Sequence, residues 1–237
     1  MSVALAAQLR EGTKKAHTMA ENTGFVSCFL KGVVDKLSYR KLVADLYFVY
    51  EAMEEEVDKL ANHPVVGPVG KKELNRLESL EQDLAFYFGD NWREEIKPSP
   101  SAATYVERIH AVAKDSPELL VGHHYTRYMG DLSGGQILKN IAQKAMNMSG
   151  DDGLRFYVFD DISDEKAFKT AYRSTMDQLP IDQDMADRIL EEANHAFHLN
   201  MKMFQELEGN LVAAIGKVLF GFLTRRQRTG STEAVVA

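Results

Sequence analysis

The sequence has little of what membrane-bound, secreted or nucleic-acid-binding proteins need. Its single cysteine, Cys28, permits no internal disulfide, so a reducing compartment is the default. No secretory leader is recognisable, and the apolar stretch over 211–223 is too short to span a bilayer and contains Lys217. The formal net charge of −7 argues against general nucleic-acid binding. These absences predict a soluble, cytoplasmic protein with no membrane anchor and no nucleic-acid partner.

What the sequence does have is helical periodicity along nearly all of its 237 residues. Apolar residues recur at intervals of three and four positions over residues 3–22, 25–34, 38–61, 73–88, 102–114, 118–147, 164–178 and 183–223. Proline- and glycine-rich segments separate these stretches, and only RFYVFDDI (155–162) looks like a strand, with no second strand to pair with. The pattern predicts a single all-α domain of about eight helices.

Three glycines interrupt the helical pattern of YTRYMGDLSGGQILKN (125–140), and an aspartate, Asp131, lies among them. Glycine inside a helix costs about 1 kcal/mol relative to alanine, so a reason is needed for Gly130, Gly134 and Gly135. A phosphate-binding loop is a weak interpretation, because no strand precedes and no Gly-Lys-Ser/Thr follows. Close helix packing and a bare helix face lying against a flat cofactor both remain open, and the carboxylate favours the cofactor.

The segment LREGTKKAHTMAEN (9–22) places a histidine on the rim of an apolar stripe. A single histidine such as His17 is more often structural than a ligand. Its neighbours favour a ligand, because Glu21 lies one turn on and can reach the ring nitrogen that does not bind a metal. Arg10, two turns back on the same side, is positioned to meet a carboxylate of a molecule held by His17.

A basic helical face follows in KAFKTAYR (166–173), where Lys166, Lys169 and Arg173 lie on one side. Such a run of charge is usually a solvated face.

A rival metal site is suggested by two Glu-x-x-His motifs, Glu107–His110 and Glu192–His195, together with the glutamate run 54–56. Paired motifs of this kind with two further glutamates hold di-iron centres in helical bundles. Helical wheels direct one residue of each motif, Glu107 and His195, away from the apolar face of its helix. We therefore interpret them as coincidences of a charged helix surface, with the di-iron oxidase kept as a minor alternative.

Taken together, these segments resemble the heme oxygenases over roughly residues 5–225. REGTKKAHTMAENTGF is similar to the family's proximal helix, which implies that His17 is the axial ligand of heme iron. YTRYMGDLSGGQ is similar to the distal helix, which implies that Asp131 is the catalytic aspartate. The resemblance implies an all-α domain over residues 1–225, with heme between the two helices, and a flexible C-terminal tail over 226–237.

The same resemblance assigns roles to further residues. The catalytic set implied beside Asp131 comprises Tyr50, Arg127 and Gly130. The residues implied to contact heme, in addition to His17, are Arg10, Glu21, Tyr125, Gly130, Gly134, Lys169, Arg173, Phe197 and Asn200.

The implied activity is oxidative cleavage of heme b, which is both cofactor and substrate, at the α-meso carbon. The products are biliverdin, carbon monoxide and ferrous iron, and O2 is the oxidant. The sequence resembles the soluble branch of photosynthetic organisms, which implies electrons from ferredoxin docked near Arg10, Lys14, Lys166 and Lys169, and a downstream bilin reductase as a further partner. A heme carrier is the alternative function, since it needs His17 and the basic residues but not Asp131.

Overall fold

The structure, a computed structural model, describes residues 3–226, with side chains as far as Leu207. In this part of the chain every regular element is helical, as the sequence predicts. The α-helices are α1 (Leu5–Gly12), α2 (Lys14–Glu21), α3 (Gly24–Leu30), α4 (Lys36–Lys59), α5 (Leu77–Phe88), α6 (Trp92–Glu95), α7 (Pro100–Asp115), α8 (Leu120–His124), α9 (Gly130–Ala145), α10 (Glu165–Asp177) and α11 (Gln183–Arg226). Shorter 3₁₀ turns occupy Lys72–Leu74, Pro117–Leu119 and Arg155–Tyr157, and a π-helical turn over Tyr125–Met129 joins α8 to α9.

Several helices begin where a short polar side chain satisfies the free backbone amides of the first turn. The Asp35 carboxylate accepts hydrogen bonds from two amides at the start of α4, each at 2.9 Å. Ser99 accepts from the amide of Ala102 at 3.1 Å, and Pro100 occupies the first position of α7, where a missing N–H costs nothing. Asp164 caps α10 in the same way.

Two long helices organise the core. α4 packs between α5 and α7, and α11 contacts α2, α3, α7 and α8. Large side chains of α4 such as Tyr39, Tyr50 and Met53 are fully buried, and each contributes about 1.5–3 kcal/mol through burial of apolar surface. Because α11 is covered on several sides, it also buries polar residues, including Glu192 and Asn200.

The predicted helix over 3–22 is two helices, which meet at Thr13. The Thr13 hydroxyl donates to the Leu9 carbonyl at 2.7 Å, a bond that bends a helix by competing with the backbone. At Gly12 a Cβ would lie 2.6 Å from the Leu190 side chain, so the absence of a side chain lets α1 approach α11. The bend gives α2, which carries His17, a direction of its own.

The predicted helix over 118–147 is also interrupted, by the π turn. At Gly122 a Cβ would lie 2.8 Å from the Ile189 carbonyl oxygen and 2.9 Å from the Ala193 nitrogen, so the backbones of α8 and α11 are in direct contact. A π turn widens the helix by one residue and changes the direction of the side chains that follow. Here the π turn lies between α8, which is in contact with α11, and α9.

The strand-like segment over 155–162 forms no strand; it contains the 3₁₀ turn Arg155–Tyr157. The buried Asp83 carboxylate holds this turn by accepting hydrogen bonds from the amides of Arg155 at 2.8 Å and Phe156 at 2.9 Å. Of the helices in the described part of the chain, none is both long enough and apolar enough to cross a bilayer. The predicted tail lies outside the described residues beyond Arg226.

Candidate functional site

A cavity of about 750 Å³ opens between α2 and α9. Its walls come from α2 and α11 on one side, from the π turn and α9 on the other, and from α3 and α4 at the apolar end. Of the residues predicted from the sequence, the following line it: Arg10, His17, Glu21, Tyr125, Arg127, Gly130, Asp131, Gly134, Arg173, Phe197 and Asn200. Segments separated by up to 190 positions in the chain are thus brought to one site.

His17 lies on the α2 wall with its ring open to the cavity, its side chain being 54% exposed. The ring packs edge-on against Phe197, with centroids 5.7 Å apart. Its Nδ1 atom lies 3.7 Å from a carboxylate oxygen of Glu21, which is an electrostatic contact and too long for a direct hydrogen bond. This geometry leaves Nε2 as the nitrogen able to bind a metal in the cavity.

The three glycines of α9 differ in what their bare backbone faces. A Cβ added at Gly130 or Gly134 would meet no atom within 4 Å, and both residues line the cavity, so their bare backbone faces it. A Cβ at Gly135 would instead lie 3.4 Å from the Tyr157 ring. Two glycines leave room for a ligand, and the third faces the Tyr157 ring at an ordinary contact distance that a methyl group would also allow.

Behind this bare face a hydrogen-bonded group surrounds Asp131. The Tyr50 hydroxyl donates to Asp131 Oδ2, and Arg127 Nη2 donates to Oδ1 at 3.3 Å. Arg127 also donates from Nε to the Tyr50 hydroxyl at 3.1 Å and from Nη1 to the Asn200 side-chain oxygen at 2.7 Å. Tyr50 is fully buried and does not line the cavity, so it acts on the site through Asp131 and Arg127.

The Asp131 side chain is 12% exposed, and that exposed part faces the cavity. Burial raises the pKa of its carboxyl group above the usual value, against the opposing effects of the Arg127 charge and the Tyr50 hydrogen bond. A carboxyl group in this position can hold a water molecule through its oxygen atoms and can exchange a proton with it.

A second buried carboxylate, Glu54, supports the group from behind. It accepts hydrogen bonds from the Tyr128 hydroxyl at 3.2 Å and from the backbone amides of Arg76 and Leu77. Burial raises the pKa of Glu54 to about 6, although these hydrogen bonds act to lower it. The Tyr128 ring packs edge-on against Tyr50 at 5.4 Å, which connects the two carboxylates.

One edge of the cavity is basic. Arg10 and Arg173 line it together with Tyr125. Burial raises the pKa of Tyr125, and the charges of Arg173 and Arg10 oppose the shift, so all three lie close enough to interact. Lys169, predicted to share this edge, is not among the lining residues; its Nζ lies 3.7 Å from Glu165 one turn earlier.

The apolar end of the cavity was not predicted residue by residue. Its lining residues are Phe25, Val26, Phe29, Leu30, Leu42, Leu46, Ile137, Leu138, Phe156, Tyr157 and Phe204. Ile137 is 63% exposed, an unusual state for a large apolar side chain beside a conspicuous motif, and it marks the cavity mouth. The i, i+4 pair Phe25 and Phe29 is the other signal that the sequence offers.

The ligand set of a di-iron site is not assembled. The interpretation of Glu192 as a surface residue is wrong: it is buried and bonds Arg108 and His123, while His195 is exposed. A separate group near the surface, formed by Glu55, Glu56 and His110, brings its ligand atoms within 4.8 Å of one another, and Lys59 already pairs with both glutamates. The two Glu-x-x-His motifs therefore do not converge.

Comparison with known proteins identifies relatives along the whole chain. The family model described as Heme oxygenase matches residues 3–206. Heme oxygenase 1 of Synechocystis sp. PCC 6803 is 64% identical over 237 residues, covering 100% of this chain and 98% of the relative. Heme oxygenase 1 of Nostoc sp. is 61% identical, with 100% of each chain covered. The crystal structure of Synechocystis heme oxygenase-1 in complex with heme superposes with a TM-score of 0.91 at 63% identity, covering 93% of this chain and 100% of that one.

Proposed function

This chain belongs to the heme oxygenase family of enzymes, and we propose that it cleaves heme b at the α-meso carbon, with O2 and electrons from reduced ferredoxin. The proposed products are biliverdin, carbon monoxide and ferrous iron. The observation that carries the proposal is the pairing of His17 on one wall of the cavity with Asp131 on the bare face of the other.

The residues present fit a heme. The cavity has the size of a cofactor site. The missing side chains of Gly130 and Gly134 leave the flat approach that a porphyrin needs, and aromatic and aliphatic residues surround the apolar end. When bound, heme supplies both the iron at which oxygen is reduced and the ring that is cleaved.

On the α2 wall, His17 would hold the iron through Nε2. Glu21 lies 3.7 Å from the other nitrogen, an electrostatic contact that favours the tautomer protonated there without making the imidazole strongly anionic. Phe197 sets the plane of the ring through its edge-on contact.

On the α9 wall, Asp131 would hold a water molecule and pass a proton to the reacting oxygen. Arg127 and Tyr50 fix the carboxylate through both of its oxygen atoms, so that it needs little reorganisation when the proton moves. Asn200 fixes Arg127 from the far side. We therefore assign the catalytic role to Asp131 and a positioning role to Arg127 and Tyr50, which hold its carboxylate.

At the basic edge, Arg10, Arg173 and Tyr125 would bind the two propionates and so fix the rotation of the ring. That fixed rotation is the basis of the proposed α selectivity. Lys169 would reach a propionate only after leaving Glu165, so we assign it a weaker contribution.

Ferredoxin is the proposed electron donor, docked on the surface around Arg10, Lys14, Lys166 and Lys169, with a bilin reductase as the proposed acceptor of biliverdin. The chain has a net charge of −7, so an acidic donor requires this local basic surface. Reduction rates at limiting ferredoxin should fall with added salt as the Debye length shortens from about 30 Å at 0.01 M to about 8 Å at 0.15 M. Rates that stay level or rise with salt would place the donor elsewhere.

A heme carrier is the competing function, because a carrier would use the same cavity. The two are separated by adding one equivalent of hemin, then a reductant and O2, and recording absorbance. The proposed enzyme replaces the Soret band with the broad red absorption of a bile pigment, whereas a carrier keeps its Soret band.

A further inference from the structure

Helix α10 carries Arg173 at the basic edge, and within the described residues two hydrogen bonds connect it to other helices. It packs on α1, where Asp177 accepts a hydrogen bond from the Ala6 amide at 2.8 Å. In its middle, the Tyr172 hydroxyl lies 2.6 Å from Nδ1 of His124. The first bond fixes the C-terminal end of α10, and the second fixes the helix relative to the wall that carries the π turn and α9.

The contact between Tyr172 and His124 lies in the interior: only 1% of the surface of Tyr172 and 3% of that of His124 is exposed. The rings stack with centroids 5.7 Å apart and an interplanar angle of 16°. Burial lowers the pKa of His124 to about 3 and raises that of Tyr172, so both groups stay neutral across the ordinary pH range. The bond therefore persists wherever the protein is folded.

The chain neighbours of this pair are two residues of the basic edge. Tyr125 follows His124, Arg173 follows Tyr172, and both line the cavity. His124 also packs against Tyr128 at 4.2 Å, and Tyr128 packs against Tyr50. The pair thus lies between the basic edge and the hydrogen-bonded group around Asp131.

We propose that the His124–Tyr172 hydrogen bond is a positioning device that determines regioselectivity. It fixes α10 against the start of the π turn, which sets the separation of Arg173 and Tyr125 and so the in-plane rotation of the substrate ring relative to Asp131. Neither residue touches the ring. The inference rests on the proposed function, since it concerns heme in this cavity.

Tyr172→Phe tests the proposal, because it removes one hydroxyl and keeps the stacked ring. Loss of a neutral hydrogen bond changes the ratio of two ring orientations by about fivefold, the equivalent of about 1 kcal/mol. We expect the share of non-α biliverdin to rise by about that factor. Tyr87→Phe is the matched control: within the described part of the chain its hydroxyl donates to the Met148 sulfur at 3.7 Å, and the residue does not line the cavity.

A second readout is independent of turnover. Proton NMR of the ferric, cyanide-bound heme complex reports ring rotation through the shifts of the heme methyl groups. Tyr172→Phe should change this shift pattern with little loss of hemin affinity, and Tyr87→Phe should not. A wild-type protein that binds hemin but makes no bile pigment would contradict the proposed function and leave the NMR comparison as the test of this inference.

His124→Phe and the double variant complete a mutant cycle. If the two residues act through their shared bond, each single variant and the double variant shift the isomer ratio and the methyl pattern equally. Wild-type isomer ratio and methyl shifts in Tyr172→Phe, or effects of the two substitutions that simply add, would overturn the proposal.

Discussion

A single methyl group added at Gly134 should stabilise the heme-free protein and weaken heme binding. In the heme-free protein an alanine Cβ at this position meets no atom within 4 Å, so the helix gains the propensity difference between the two residues, about 0.5–1 kcal/mol. The same methyl group projects into the cavity that we assign to heme. The two effects therefore have opposite signs.

The loss of affinity follows from crowding. Inserting a methyl group into a filled, closely packed site costs about 1–3 kcal/mol, which corresponds to hemin affinity reduced about 5- to 150-fold. Urea unfolding of the heme-free protein measures the gain in stability, and hemin titration followed by absorbance measures the loss of affinity.

Gly135→Ala is the matched control, since it changes the next residue of the same helix. Its Cβ would face the Tyr157 ring at 3.4 Å, and among the described residues Gly135 is not part of the cavity wall. This variant should bind hemin as the wild type does. Wild-type affinity in Gly134→Ala, or the same loss in both variants, would refute heme lying against α9.

Three further predictions concern other groups. His17→Ala should lose the protein's bond to the iron, seen as altered ferric and ferrous absorption spectra, and keep its helical circular dichroism. Glu192→Gln should lower the free energy of unfolding at pH 7 by about 1.5–3 kcal/mol, because the buried carboxylate loses its charge-assisted hydrogen bonds to the half-exposed Arg108 and to His123. Burial raises the pKa of Glu192, but the bonds from Arg108 and His123 lower it to about 2, so this stability is present above pH about 4.5 and is lost as pH falls toward 2. The pH dependence expected for Asp83 has the opposite sign. Burial raises its pKa from 3.8 to about 7, so between these pH values the folded state keeps a proton that the unfolded state has lost. The free energy of unfolding therefore falls by up to about 4 kcal/mol as the pH rises from 4 to 7.

Each of these has a contradicting result. Unchanged heme spectra in His17→Ala would reject the ligand. Glu192→Gln with wild-type unfolding curves at both pH 7 and pH 3 would show that the buried pair contributes nothing. For Asp83, the comparison is the difference in unfolding free energy between the wild type and Asp83→Asn, which should vary with pH; a level difference would contradict the assigned pKa.

Helical periodicity predicted the fold class because most helices here are amphipathic on one side. The same reasoning failed for Glu192, which was interpreted as part of a charged surface because His195 in the same motif projects away from the apolar face. α11 is contacted by α7 and α8 as well as by α2 and α3, so Glu192 is buried while His195 stays exposed. A wheel describes one helix and one covered face, and it carries no information about a second covering helix.

The candidate site was predictable to the extent that its residues lie in recognisable segments. The contacts within it were not, because Tyr50 and Asp131 are 81 residues apart and meet only in the folded chain. The close approach of α8 and α11 at Gly122, which precedes the π turn, is likewise a contact between distant segments of the chain. Lys169 lies on the predicted face of α10, yet its ion pair with Glu165 depends on the side-chain rotamer.

The most direct test of the account is the biliverdin yield of Asp131→Ala after loading with hemin. Because the iron ligand in our proposal is His17 on the opposite wall, the variant should bind hemin with wild-type affinity. It should form no biliverdin with reductant and O2, since the group that holds and donates the proton is gone. Asp131→Asn keeps the size of the side chain without its charge, so its biliverdin yield should lie between those of the wild type and Asp131→Ala. A wild-type yield from Asp131→Ala would contradict the central role of this carboxylate.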